Sequence, residues 1–115
     1  MWSDHKRIEE RSLMLHREIA RRVRENPDLV DRARRNLTRW IRSHGIIPPW
    51  KRWRAILRGP LPEILAALES RSESARELRQ SSLFCGILSP AERWHVYESY
   101  TIGAYYKGRR QHRRR

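Results

Sequence analysis

The chain has 115 residues, with 26 Lys/Arg against 13 Asp/Glu, a formal net charge of +13 and 38% apolar residues. That length supports one domain with a modest core and excludes two, while five tryptophans argue against a chain that never folds. So large an excess of cations repels itself in the free protein and points to an acidic partner.

Cys85 is the only cysteine, which excludes an intrachain disulfide and a Cys-based zinc site. No apolar run reaches the ~18 residues of a membrane span, and the first residues lack the apolar core of a signal peptide. A cytoplasmic setting without stable membrane insertion is expected.

The charge is unevenly placed. Residues 1–31 carry seven basic and seven acidic side chains, residues 59–106 four basic and six acidic, and residues 107–115 six basic. Residues 32–58 hold the other nine cations (Arg32, Arg34, Arg35, Arg39, Arg42, Lys51, Arg52, Arg54 and Arg58) and no acid. Trp40, Trp50 and Trp53 lie in the same block. Cations neutralise phosphate and flat rings stack on bases or anchor the local fold, so this mixture suits a polyanion.

In chain order, Ser3 or Asp4 can cap a first helix that runs to about Glu25. Ile8, Leu15, Ile19 and Val23 fall within one stripe of it, and Ser12 and His16 share that side. Glu18–Arg22 and Arg21–Glu25 are i,i+4 pairs on its outer face. Asn26 fits an N-cap and Pro27 the first position of a second helix, predicted from Pro27 to His44 with Gly45 as its stop. Leu29, Val30, Ala33, Leu37, Trp40 and Ile41 make its apolar face, and the helical period sets Arg32, Arg35, Arg39 and Arg42 opposite as a ridge. A merely solvated face normally mixes signs, and this one does not.

Ile46-Ile47-Pro48-Pro49 is predicted extended, because each proline pushes its predecessor away from helix. A short helix, residues 50–58, then puts Trp50, Trp53, Ile56 and Leu57 on one side. Gly59-Pro60-Leu61-Pro62 breaks the chain before a turn set of Leu61, Ile64, Leu65 and Leu68. A further helix is expected at about 74–81, then an apolar connection, Ser81 to Leu88, tucked onto the core with Cys85 as a small buried hydrophobe. Ser89-Pro90-Ala91-Glu92 is a capping-box start for a last helix presenting Trp94 and Tyr97 inward and running to about Ala104. Residues 107–115 read as a disordered basic tail beyond a helical domain of residues 1–106.

Chemistry-bearing motifs are scarce. His5, His16, His44, His95 and His112 are scattered without metal-ligand spacing, and there is no Gly-rich phosphate loop or nucleophile setting. The pairs Arg11–His16 and Arg39–His44 match the Arg-then-His spacing of the all-helical HEPN ribonucleases. With 23 arginines in 115 residues, five histidines yield about three such pairs by chance, so the spacing carries little information. His16, on the apolar stripe, is better read as a hydrogen-bonded core histidine. A helix-turn-helix over residues 74–104 would need a connection shorter than Ser81–Ser89.

The segments ARELRQSSLFCGILSPAERW (Ala75–Trp94) and RSLMLHREIARRVRENPDLVDRARRNLTRW (Arg11–Trp40) resemble small bacterial proteins encoded beside toxins in toxin–antitoxin modules. Where that resemblance leads one to expect Pro and Ala in the SSxFxG turn, this chain has Leu83 and Cys85. It implies an antitoxin or operon regulator, with residues 76–94 as a partner-docking or fold-defining element.

The expected fold is therefore all-α: a single irregular or orthogonal bundle of five or six short helices. Its predicted core is Ile8, Leu15, Ile19, Val23, Leu29, Val30, Leu37, Ile41, Ile64, Leu65, Leu68, Leu78 and Trp94. The expected function is non-enzymatic nucleic-acid binding, DNA or RNA, with a toxin or other acidic protein as a second partner. The alternative is a HEPN-like ribonuclease using His16 or His44 as base, or an adaptor for an acidic protein. The nucleic-acid surface is placed on Arg32, Arg35, Arg39 and Arg42, continuing over Lys51, Arg52 and Arg54. Trp50 and Trp53 are stacking candidates, and Arg109, Arg110, Arg113, Arg114 and Arg115 form a second clamp. No catalytic residue, metal or cofactor is expected.

Overall fold

Helix-forming stripes separated by proline and glycine give an all-helical chain, seen in a computed structural model that describes residues 4–99. The order is α1 (Asp4–Glu25), α2 (Leu29–His44), α3 (Pro48–Arg58), α4 (Leu61–Glu69), α5 (Glu73–Gln80) and α6, which occupies 90–99 of the described residues. No strand occurs among the described residues. The predicted extension of the last helix to Ala104 and the basic tail lie outside them.

Each boundary has a local cause. The entry to α2 is tighter than the predicted start at Pro27: residues 27–28 form a turn, with i→i+3 bonds from Leu29 N to Asn26 O (3.0 Å) and from Val30 N to Pro27 O (3.1 Å). Gly45 ends α2 at φ 77°, a value that favours glycine, and its N–H donates to Ile41 O. Pro48 and Pro49 are helical rather than extended. They form the first turn of α3, where a missing N–H costs nothing and the proline φ suits the helix; only Ile47 before them is extended. Ser72 caps α5, its hydroxyl accepting from Ala75 N at 3.1 Å. The capping box forms as expected: Ser89 Oγ accepts from Glu92 N at 3.1 Å and Glu92 Oε1 accepts from Ser89 N at 2.8 Å.

α1 packs against α4 and α5, and α2 against α3, with further contacts of α5 on α3 and α4. The core is Val30, Ala33 and Leu37 of α2, Trp53 and Leu57 of α3, Ile64 and Leu68 of α4 and Leu78 of α5, joined by Ile19, Ala20 and Val23. The connection 81–89 completes it: Leu83, Phe84, Ile87 and Leu88 are all buried, and Phe84 meets Trp53 edge-on at 5.7 Å. Asn36, itself buried, donates to Leu83 O at 2.8 Å and so ties α2 to this segment.

Seven burial expectations fail in whole or in part. Ile8 is 61% exposed, because the first turns of α1 are held by ion pairs from Glu9 to Arg76 and Glu10 to Arg71 rather than by apolar contact. The buried stripe of α1 is instead rotated toward Leu13, His16, Ala20 and Val23, where fully buried Ala20 can let a neighbouring helix approach closely. Trp94 is 64% exposed, while its neighbour Tyr97 is half-buried under the Arg11 guanidinium, 4.3 Å from the ring centre. Leu15, Leu29, Ile41 and Leu65 are only half-buried, packed against the core from its margin. Cys85 is exposed: it sits at the apex of the turn that Gly86 closes at φ 86°, with its neighbours Leu83, Phe84, Ile87 and Leu88 taking the interior.

Candidate nucleic-acid interface

The acid-free block folds into the α2–α3 hairpin. On α2, Arg32, Arg35, Arg39 and Arg42 are all exposed, as the helical period requires. Their partners differ. Arg32 donates to Gly86 O, and Arg39 donates to Asn36 Oδ1 at 2.7 Å, so these two are anchored to the 83–86 turn directly or through Asn36. Arg35 and Arg42 form no ion pair with a described residue.

On α3 the cations separate by spacing. Lys51, Arg54 and Arg58 stand at i, i+3 and i+7, one stripe, and none has an ion-pair partner among the described residues. Arg52 falls on a different side and is spent on α5, where it donates to Ser74 Oγ at 2.6 Å and pairs with Glu77 at 3.2 Å. Arg52, grouped with Arg54 in the sequence, thus leaves the Arg54 stripe and meets an acid that α5 brings to it, while its side chain stays exposed. Trp53 as a stacking candidate is corrected: it is fully buried, and its indole N–H donates to Leu78 O at 2.8 Å, leaving no ring face for a base. Trp50 is half-buried, with its ring 5.8 Å from Trp40 and the His44 ring edge-on at 6.3 Å. This aromatic cluster closes the end of the hairpin beside the exposed Ile46 and Ile47.

Tertiary packing also creates a feature absent from the sequence reading. Arg34 and Arg42 of α2 and Arg54 and Arg58 of α3 surround a groove of about 520 Å³ floored by Leu37, Ile41 and Leu57. Arg34 is turned inward, donating to Leu57 O through Nε and Nη2 (3.1 and 2.7 Å) and pairing with Asp31. Arg42, Arg54 and Arg58 are left facing the groove, and among the described residues no carboxylate lines it. Arg34 and Arg58 belonged to the nine-cation block, yet only the antiparallel return of α3 shows that they meet Arg42 and Arg54.

Cations elsewhere are mostly matched to acids. Arg21 pairs with Glu18 and Glu25, Arg22 with Glu92, Arg24 with Glu69, Arg71 with Glu10 and Arg76 with Glu9. A larger cleft of about 740 Å³ between α1 and α6 is mixed in sign, lined by Arg17, Arg21 and Arg22 with Glu18, Glu92 and His95. Arg79 is buried and caps the end of α4 by donating to Ala67 O (3.2 Å) and Ser70 O (2.7 Å). Its desolvation holds its guanidinium pKa below the usual range.

His16 is a core histidine, not a presented base. Nδ1 donates to Ser12 O at 2.7 Å, so the neutral ring leaves Nε2 to accept from the Ser82 hydroxyl at 2.8 Å. Burial pushes its pKa down to about 4, against the opposing hydrogen bond to Ser12 and with the nearby Arg79 charge. Among the described residues no three of His, Cys, Asp and Glu gather as a metal site would need, and no helix is long and apolar enough to cross a membrane. The clamp residues Arg109, Arg110, Arg113, Arg114 and Arg115 lie outside the described residues. No family model, curated protein or solved structure matches this chain.

Proposed function

We propose that the α2–α3 hairpin binds a nucleic-acid backbone and that the protein acts as a non-enzymatic regulator, the antitoxin or operon regulator of a toxin–antitoxin module. The observation that carries the binding is the contrast in pairing. Arg35, Arg42, Lys51, Arg54 and Arg58 share one hairpin without an ion-pair partner among the described residues, while most cations elsewhere sit on carboxylates. Unpaired surface cations cost little to bring to phosphate, since no internal pair must first be broken. Arg32 and Arg39, fixed by the 83–86 turn and Asn36, border this surface as oriented donors. The regulator role rests on the resemblance of Arg11–Trp40 and Ala75–Trp94. What supports a fold-defining part for the second segment is the burial of Leu78, Leu83, Phe84, Ile87 and Leu88.

The test is fluorescence anisotropy with labelled duplex DNA and labelled single-stranded RNA over a salt series. The variant combines Arg35→Glu with Lys51→Glu, two exposed side chains outside the groove. Each phosphate neutralised on duplex contributes about 0.9 to the slope of log affinity against log salt, so the double reversal is expected to flatten it by about two units. Circular dichroism is expected to stay unchanged. An unchanged slope, or no binding of either nucleic acid at low salt, overturns the proposal.

A further inference from the structure

We infer that the groove between α2 and α3 is a docking site for an acidic amphipathic helix of a protein partner. Its floor is alkyl, from Leu37, Ile41 and Leu57, and its rim is cationic, from Arg42, Arg54 and Arg58. Those three guanidinium groups make no ion pair with a described residue, and no carboxylate among the described residues lines the groove. The complement of such a surface is a helix with aliphatic side chains along one stripe and Asp/Glu on both flanks. The stripe covers the floor while the flanking carboxylates meet the rim. A volume of about 520 Å³ accommodates a few aliphatic side chains.

A phosphodiester chain matches the rim but not the floor. It brings no aliphatic surface, so Ile41 and its neighbours would stay in contact with water, and nothing would be gained from the apolar area between the arginines. Charge complementarity alone therefore does not separate the two occupants, and the floor does. The inference goes beyond nucleic-acid binding and stands without it. If both hold, Arg42, Arg54 and Arg58 serve both ligands, and partner and polyanion exclude one another at the hairpin.

The test uses the full chain and a synthetic, fluorescein-labelled helical peptide carrying Leu at i, i+3, i+4 and i+7 with Glu on the flanks. A charge-matched control has every Leu replaced by Ser. Thr38 is exposed on the groove's lining, with its hydroxyl donating to Arg34 O, so Thr38→Trp fills the groove without changing the charge. The Leu peptide is expected to bind, with the control weaker by about tenfold or more and Thr38→Trp reducing affinity for the Leu peptide by about tenfold. Arg58→Glu, which puts an acid on the rim, is expected to give the same loss should Thr38→Trp fold poorly. Duplex binding by Thr38→Trp should be unchanged. The inference fails if both peptides bind equally, which would mean charge alone. It also fails if neither variant weakens the Leu peptide, or if Thr38→Trp weakens oligonucleotide binding instead, which would put nucleic acid in the groove.

Discussion

Lowering the pH should destabilise this protein before its carboxylates begin to titrate, and His16 is the reason. In the folded chain burial holds His16 neutral, with a pKa of about 4, against an ordinary value of 6.5. The folded value is depressed, so the stabilising contribution is fully present above pH 6.5 and is lost as pH falls from there toward 4. At pH 5 the linkage amounts to about 2 kcal/mol, large beside a total stability of about 5–15 kcal/mol. For a domain of this size that lowers the melting temperature by about 10 °C.

Glu18, Glu69 and Glu92 also have lowered pKa values. The Arg21 hydrogen bond is the largest cause for Glu18, the Arg24 hydrogen bond for Glu69 and the Ser89 N–H for Glu92. Their losses begin mainly below pH 5, where the unfolded carboxyls start to protonate, so the window above it belongs to His16. Urea unfolding at pH 7.5, 6 and 5, for the native chain and for His16→Gln, isolates the effect. Gln can still accept from Ser82 but does not titrate. The variant is expected to be less stable at pH 7.5 yet nearly flat between pH 7.5 and 5. A native chain equally stable at pH 7.5 and 5, or a His16→Gln variant with the same slope, refutes the reasoning.

Trp53→Phe should cost about 1–3 kcal/mol in urea unfolding, since it removes buried volume at the centre of the core and one of the two donors to Leu78 O, which keeps its bond from Ser81 N. Asn36→Ala should cost about 2 kcal/mol and loosen the 83–86 turn, because Leu83 O loses its donor and Arg39 its acceptor; faster amide exchange at Phe84 to Ile87 would report it. Ser89→Ala breaks one half of the capping box and should cost about 1 kcal/mol, seen as lost helicity in α6 by circular dichroism.

The sequence alone determined the helices and their outward charge. Apolar residues at helical spacing, Gly45 after α2, and the Ser89–Glu92 box are local devices whose physics needs only near neighbours, and they form as read. The same period sent Arg32, Arg35, Arg39 and Arg42 outward on α2. His16 as a bonded core residue was legible because it shared an apolar stripe.

What the tertiary structure decided was which exposed cations have partners and which aromatics are sealed. Arg52 and Arg54 are two residues apart and equivalent in composition. Only the position of α5 commits one to Glu77 and leaves the other at a groove with Arg42 and Arg58. Trp50 and Trp53 share one stripe, and the difference between a half-buried ring and a fully buried one came from Phe84, some thirty positions on. Ile8 and Trp94 lay on credible apolar stripes that none of the other described helices covers. Periodicity sets the direction in which a side chain leaves its own helix, whereas burial and pairing depend on what another part of the chain brings there, and that long-range information is not carried by local spacing.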